Sequence, residues 1–228
     1  MKYALAWMAG AVLGAILFLA LLYYNPFAGR RNISPMAVSM QPLIDLSFST
    51  VPSDAIAYTN NGDSRIKPYP EKIAELWEPT IRKTTVFVTE LQNGRGETAG
   101  IGIKFASESE QTKLLRGNAL LDSAWHVYLP QSGSFFIDQT ENMWSYIRNI
   151  VLPARWSSAD SWRGTWYGIT TAGPNALGTA RVSGASGNFA GITTEAIEAL
   201  SARAYSARQG PVSITGNLTI AVAEVTTD

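Results

Sequence analysis

The sequence predicts a mainly β protein: an N-terminal transmembrane helix followed by a small antiparallel β-barrel with one to three short helices. Three observations predict it. Residues 4–22 form one apolar run without a charge or a proline. Beyond residue 40, short stretches alternate apolar and polar side chains between glycine- and proline-bearing turns, the period of half-buried strands. Nineteen glycines and eleven prolines in 228 residues favour short strands and turns over a helical bundle.

The apolar run comes first. At a helical rise of about 1.5 Å per residue it spans roughly 28 Å, close to the hydrocarbon thickness of a bilayer. A helix satisfies its own backbone there. Trp7 near one end and Tyr23 and Tyr24 at the other place amphipathic rings where the two interfaces would lie. Gly10 and Gly14 form a small-xxx-small pair that permits close helix packing. A cleaved secretory signal has a shorter apolar core and small residues at its exit, whereas this run leaves through Tyr23, Tyr24, Asn25 and Pro26. The expected organisation is therefore an anchor over residues 1–24, a linker over 25–40 and one extracytoplasmic domain over 41–228. The protein is expected to be single-pass (in the inner membrane, if bacterial), with a short N-terminal tail inside and the domain exported.

Composition narrows the chemistry. Eighteen basic and eighteen acidic residues cancel, and no polybasic arm marks a nucleic-acid binder. Cysteine is absent, which removes disulfides, thiolate nucleophiles and thiolate-ligated metals. His126 is the single histidine, and no Gly-x-Ser-x-Gly elbow accompanies it. No metal or other cofactor is expected, and no residue is assigned a catalytic role.

In chain order, Ile44, Leu46 and Phe48 alternate on one face of a strand bracketed by Pro42 and Pro52, which suits an edge. Asn60 to Asp63 read as a turn. Glu71 to Trp77 read as a short helix opened by Pro70 and stopped by Pro79. Thr84 to Glu90 and Ala99 to Phe105 form a hairpin about Asn93-Gly94-Arg95-Gly96. In its second arm Gly100, Gly102 and Lys104 share one face. Two glycines there point to a close backbone approach or barrel curvature. Ala119 to Leu129 and Ser134 to Asp138 make another pair, with Trp125, Val127 and Leu129 opposite Ala124, His126 and Tyr128. Asp138 and Glu141 then resemble a capping pair for a helix through Met143, Trp144, Ile147 and Ile150 that stops at Pro153. Residues 156–163 read as a loop, 164–171 and 178–183 as strands. Residues 194–204 carry strong helix formers, so a helix is expected to about Leu200 and a strand after it.

Gly184-Ala185-Ser186-Gly187-Asn188-Phe189-Ala190-Gly191, with a strand before it and residues 216–222 as a closing strand, resembles the allene oxide cyclase and dirigent-like barrel superfamily. The resemblance covers about 60 of the 228 residues. It implies a small antiparallel barrel that fills itself or encloses a hydrophobic ligand. It also implies, as the alternative to a binding domain, a cyclase or isomerase acting on a lipid-derived substrate. The family's catalytic positions match no residue here, so none is carried over.

The richest candidate surface interleaves aromatic rings with arginines: Trp144, Arg148, Trp156, Trp162, Arg163 and Trp166, joined by His126 and Tyr128. Arginine beside tryptophan suits an anionic or conjugated ligand. Glu90, Glu97, Asp122, Asp138 and Glu141 lack a partner at diagnostic spacing and read as solvated or capping groups. The expectation is an accessory or scaffold domain acting by binding, with the bilayer, a membrane-protein complex or a small apolar ligand as partner.

Overall fold

The computed structural model describes residues 2–23, 43–60, 63–66 and 83–222. The expected linker over 25–40 and the short helix from Glu71 to Trp77 lie outside the described residues. The N-terminal helix α1 (Lys2–Tyr23) has apolar residues on every face, and each of its described side chains is exposed. Among the described residues no helix is long and apolar enough to cross a membrane. The transmembrane span expected over residues 4–22 therefore finds no support among the described residues.

The rest is one antiparallel sheet. Its strands are β1 (Leu43–Ser49), β2 (Ala57–Asn60), β3 (Asp63–Ile66), β4 (Thr84–Gln92), β5 (Thr98–Glu108), β6 (Leu120–Leu129), β7 (Gly133–Asn142), β8 (Ser161–Ile169), β9 (Thr171–Gly173), β10 (Ala180–Gly187), β11 (Thr193–Ser206) and β12 (Gly210–Ala221). The order β1-β12-β11-β10-β7-β6-β5-β4 runs round on itself, because Ser47 of β1 also pairs with Gln92 of β4. Eight strands make a near-complete ring, with the β2–β3 hairpin appended to β4.

The ring forms because each strand turns one alternate face inward. Leu46 and Phe48 of β1, Leu91 of β4, Trp125 and Val127 of β6, Phe135 and Ile137 of β7, and Leu218 and Ile220 of β12 build one apolar core. Trp125 lies edge-on to Phe48 at 4.7 Å and to Phe87 at 5.5 Å. The glycines of β5 make room for it: a Cβ on Gly102 would sit 2.8 Å from the Trp125 ring. Within β10, a Cβ on Gly184 would collide with the carbonyl of Phe189 in the turn that follows the strand. Phe189 itself packs edge-on against Phe135 at 5.0 Å, closing that part of the core.

Several local expectations are corrected. Residues 193–206 are strand throughout. As a strand between β12 and β10, this segment buries Ala196, Glu198, Leu200 and Ala202, and ladder bonds override its helix propensity. Asp138 and Glu141 are not a cap, since both lie in β7. Asn142 accepts with Oδ1 the N–H of Trp144 at 3.0 Å and that of Ala119 at 3.2 Å, and the N-cap after it is Met143, without a side-chain cap bond. The helix it opens, α2, runs through Trp144–Tyr146, Ile147–Val151 and Leu152–Trp156, with the middle piece wound as a π-helix. Pro153 does not stop it. Proline lacks an N–H and crowds the carbonyl four residues back, and a wider turn accommodates that. The expected loop over 156–163 yields to strand from Ser161 onward.

Candidate functional site

Three places concentrate chemistry. The first is inside the ring. Lys104 shares the inward phase of Gly100 and Gly102, so its side chain enters the barrel and is buried. Its Nζ donates to Glu198 Oε1 at 2.7 Å and Oε2 at 2.9 Å, and lies 2.7 Å from Glu141 Oε1. Glu198 Oε2 also accepts the indole N–H of Trp125 at 2.9 Å and an amide N–H of Gln139 at 2.5 Å. Ser123 Oγ donates to Glu141. Thr171 Oγ1 donates to Gln139 Oε1 at 2.9 Å and accepts the backbone N–H of Glu198 at 2.6 Å. The Lys104 ammonium stands 5.3 Å from the centroid of the Trp125 ring.

Two carboxylates therefore share one ammonium in a dry environment. Burial alone would push the Lys104 ammonium down, but Glu141 and Glu198 outweigh it and hold it above the usual lysine range. For Glu141, burial and then the charge of Glu198 raise the carboxyl above its ordinary value, against the opposing pull of Lys104. The reading of Glu141 as solvated or capping is corrected. It is 2% exposed. Sequence reasoning missed Lys104 and Glu198 as well. The signal for Lys104 was its phase with the two glycines. For Glu198 it was an alternation with Ala196, Leu200 and Ala202, masked by helix-forming residue types.

The second place is the outer wall of β4–β7. Because β5 turns its glycines and lysine inward, Ile101, Ile103 and Phe105 face outward. The register sets Val88, Ile103, His126 and Phe136 side by side in one row. Flanking rows add Val86 and Phe105, and Ile101 and Tyr128. Ile101, Phe105, Tyr128 and Phe136 are 42–49% exposed. The His126 ring stacks on Phe136 with centroids 4.7 Å apart and planes 22° from parallel. Around this apolar centre stand Glu90, which accepts from Thr98 at 2.6 Å, Asp122, which accepts from Thr140 at 3.1 Å, and Asp138, paired with Arg181 at 2.7 Å.

The third place joins α2 to β8. Ile150 packs on Leu200, Ala202 and Ile214, with Met143, Tyr146, Trp162, Trp166 and Tyr205 around them. Trp162 and Trp166 lie over Gly164 and Gly168 of their own strand, where a Cβ would meet each ring within 3 Å. Burial, then Tyr205, raises the Tyr146 hydroxyl above the usual tyrosine range. Trp144 is buried, and its Nε1–H has no acceptor among the described residues. Trp156 is exposed.

The expected ligand-binding set thus separates into two groups. Trp144, Arg148 and Trp156 belong to α2, and Trp162, Arg163 and Trp166 to β8. His126 and Tyr128 stand on the outer wall, where His126 pairs across to Phe136. Six residues along β7 separate that position from the start of α2, about 20 Å at the rise of a strand. Gly10 and Gly14 on α1 have no atom within 4 Å of an added Cβ. Trp7 is exposed; Tyr24 lies outside the described residues, as does the side chain of Tyr23. No known protein family and no curated protein matches the chain.

Proposed function

We propose that this protein is a membrane-anchored β-barrel domain that acts by binding, as an accessory or scaffold subunit. One observation carries the reading: its free apolar surface is on the outside. Trp125, Phe135, Leu91 and Leu218 fill the ring. The apolar cleft between Ile44, Phe135, Val182, Phe189 and Ile220 has a cavity volume of only about 10 Å³, room for a single water rather than a ligand. Outside, α1 exposes Trp7, Val12, Leu13, Ile16, Leu17 and Leu19 with no polar stripe. A helix hydrophobic all round is a buried or membrane-spanning one. As a helix the apolar run over residues 4–22 would extend roughly 28 Å, near the thickness of a hydrocarbon core.

Flotation of the full-length chain on lipid vesicles, followed by alkaline carbonate extraction, tests the anchor. The protein stays with lipid, and Leu13→Arg with Ile16→Arg releases it. Release of the unaltered chain by carbonate overturns the anchor.

The interior cluster favours a second reading, a cyclase or isomerase acting on a lipid-derived substrate. Glu141 and Lys104 could exchange a proton with a substrate that reached them. Turnover of an apolar lipid-derived substrate by the purified chain, lost in Glu141→Gln while the barrel stays folded, would support it. No product from any such substrate would count against it.

A further inference from the structure

We propose that the outer wall of β4–β7 docks a protein segment that presents an apolar face flanked by lysine or arginine. The inference rests on the reading of the chain as a binding domain and adds to it the place and the partner's chemistry.

The wall has the anatomy of an interface. Ile101, Ile103, Phe105, Tyr128, His126 and Phe136 form a contiguous apolar centre on a sheet face that would otherwise alternate polar residues toward water. Aromatic residues are over-represented in such centres, and a polar rim surrounds them. The rim decides among occupants. The lone cation on β4–β7 is Lys104, and it is drawn inside. The charges facing outward on these strands are Glu90, Asp122 and Asp138; Arg181 on the adjoining β10 neutralises Asp138, so Glu90 and Asp122 carry the net charge of the border. An acidic border repels the anionic headgroups of a bilayer. It also repels a second copy of itself across a two-fold axis, where the same acidic-bordered patch meets itself. A segment with basic flanks meets opposite charge on both sides and apolar surface at the centre.

The test uses the full-length chain in nanodiscs of zwitterionic phosphatidylcholine. The probe is a labelled leucine–lysine amphipathic peptide, with a leucine–glutamate peptide of the same length for comparison. Saturable binding of the basic peptide is expected, at least about tenfold tighter than the acidic one, and weaker as salt screens the rim. Phe105→Asp with Phe136→Asp abolishes it. Glu90→Lys with Asp122→Lys, two exposed changes that leave the core untouched, reverses the preference between the peptides. Equal binding of both peptides, or binding indifferent to these substitutions, overturns the proposal. So does self-association through the wall in sedimentation, or capture of anionic vesicles by the wall. A chain that floats with lipid but ignores the peptide refutes this proposal and leaves the anchored domain standing. Peptide binding by a chain that carbonate releases refutes the anchor and leaves the wall standing.

Discussion

Lys104, Glu141 and Glu198 hold the largest stake of any residues in the barrel. An ion pair in a dry interior is a weak source of net stability, but removing one partner strands the other. Lys104→Met leaves two buried carboxyls without their cation and should cost about 3–5 kcal/mol in denaturant unfolding. Glu141→Gln should be far milder, because the amide keeps a donor and an acceptor and removes the surplus negative charge. Glu141 also has a pH signature. Its folded carboxyl is raised above the ordinary value of 4.5, so the folded state holds this proton more tightly than the unfolded chain does. Its contribution is most favourable at and below pH 4.5 and declines as pH rises through the raised folded value. Lys104, raised above 10.5, contributes below that pH and is lost only as pH rises past its folded value. The stability of the unaltered chain minus that of Glu141→Gln should therefore fall on going from pH 4 to neutrality. A flat difference would place Glu141 in contact with water.

At the scale of single elements, β5 is the strand to probe, because its two faces have exchanged the usual roles. Its inner face is made of glycine and one cation, held against Trp125 and Leu91. Gly102→Ala drives a methyl into the Trp125 ring and should destabilise by about 1–3 kcal/mol. Phe105→Ser, on the exposed face of the same strand, should change stability by no more than about 0.5 kcal/mol. The two denaturation midpoints measured side by side check the orientation of the strand. A reversed ranking would mean that β5 is rotated by one residue, since a single-step slip swaps the faces of a strand.

For the molecule as a whole, the weak place is the seam. Neighbouring strands around the ring share ladders such as the ten pairs joining β6 to β7, but β1 meets β4 through the pair Ser47–Gln92. A sheet opens where fewest bonds hold it. Amide exchange should therefore be faster for residues facing the seam on β1 and β4 than for the β6–β7 pair, with β12 protected at an intermediate level. Uniform protection would mean a fully closed barrel. α2 tightens the strands next to β1, seating Ile150 over Leu200 and Ala202 of β11 and Ile214 of β12.

Sequence by itself determined the parts whose cause is local. The apolar run becomes a helix because nineteen consecutive residues offer it no breaker. The hairpins, the shared face of Trp125 and Val127, and the glycine corner at Gly184 follow from period-two alternation and from backbone that a side chain would obstruct. The tertiary structure decided what depends on neighbours distant in the chain. β11 is a strand because β12, β10 and β8 flank it, and no window of eleven residues contains those partners. Glu141 lies inside because Lys104, 37 positions earlier, and Glu198, 57 positions later, meet it across the ring. The outward face of β5 becomes a continuous wall because β4, β6 and β7 align their own apolar rows with it. Local propensity is worth tenths of a kcal/mol per residue, and burial of one charge without its partners costs several. Where the two conflict, the partners decide.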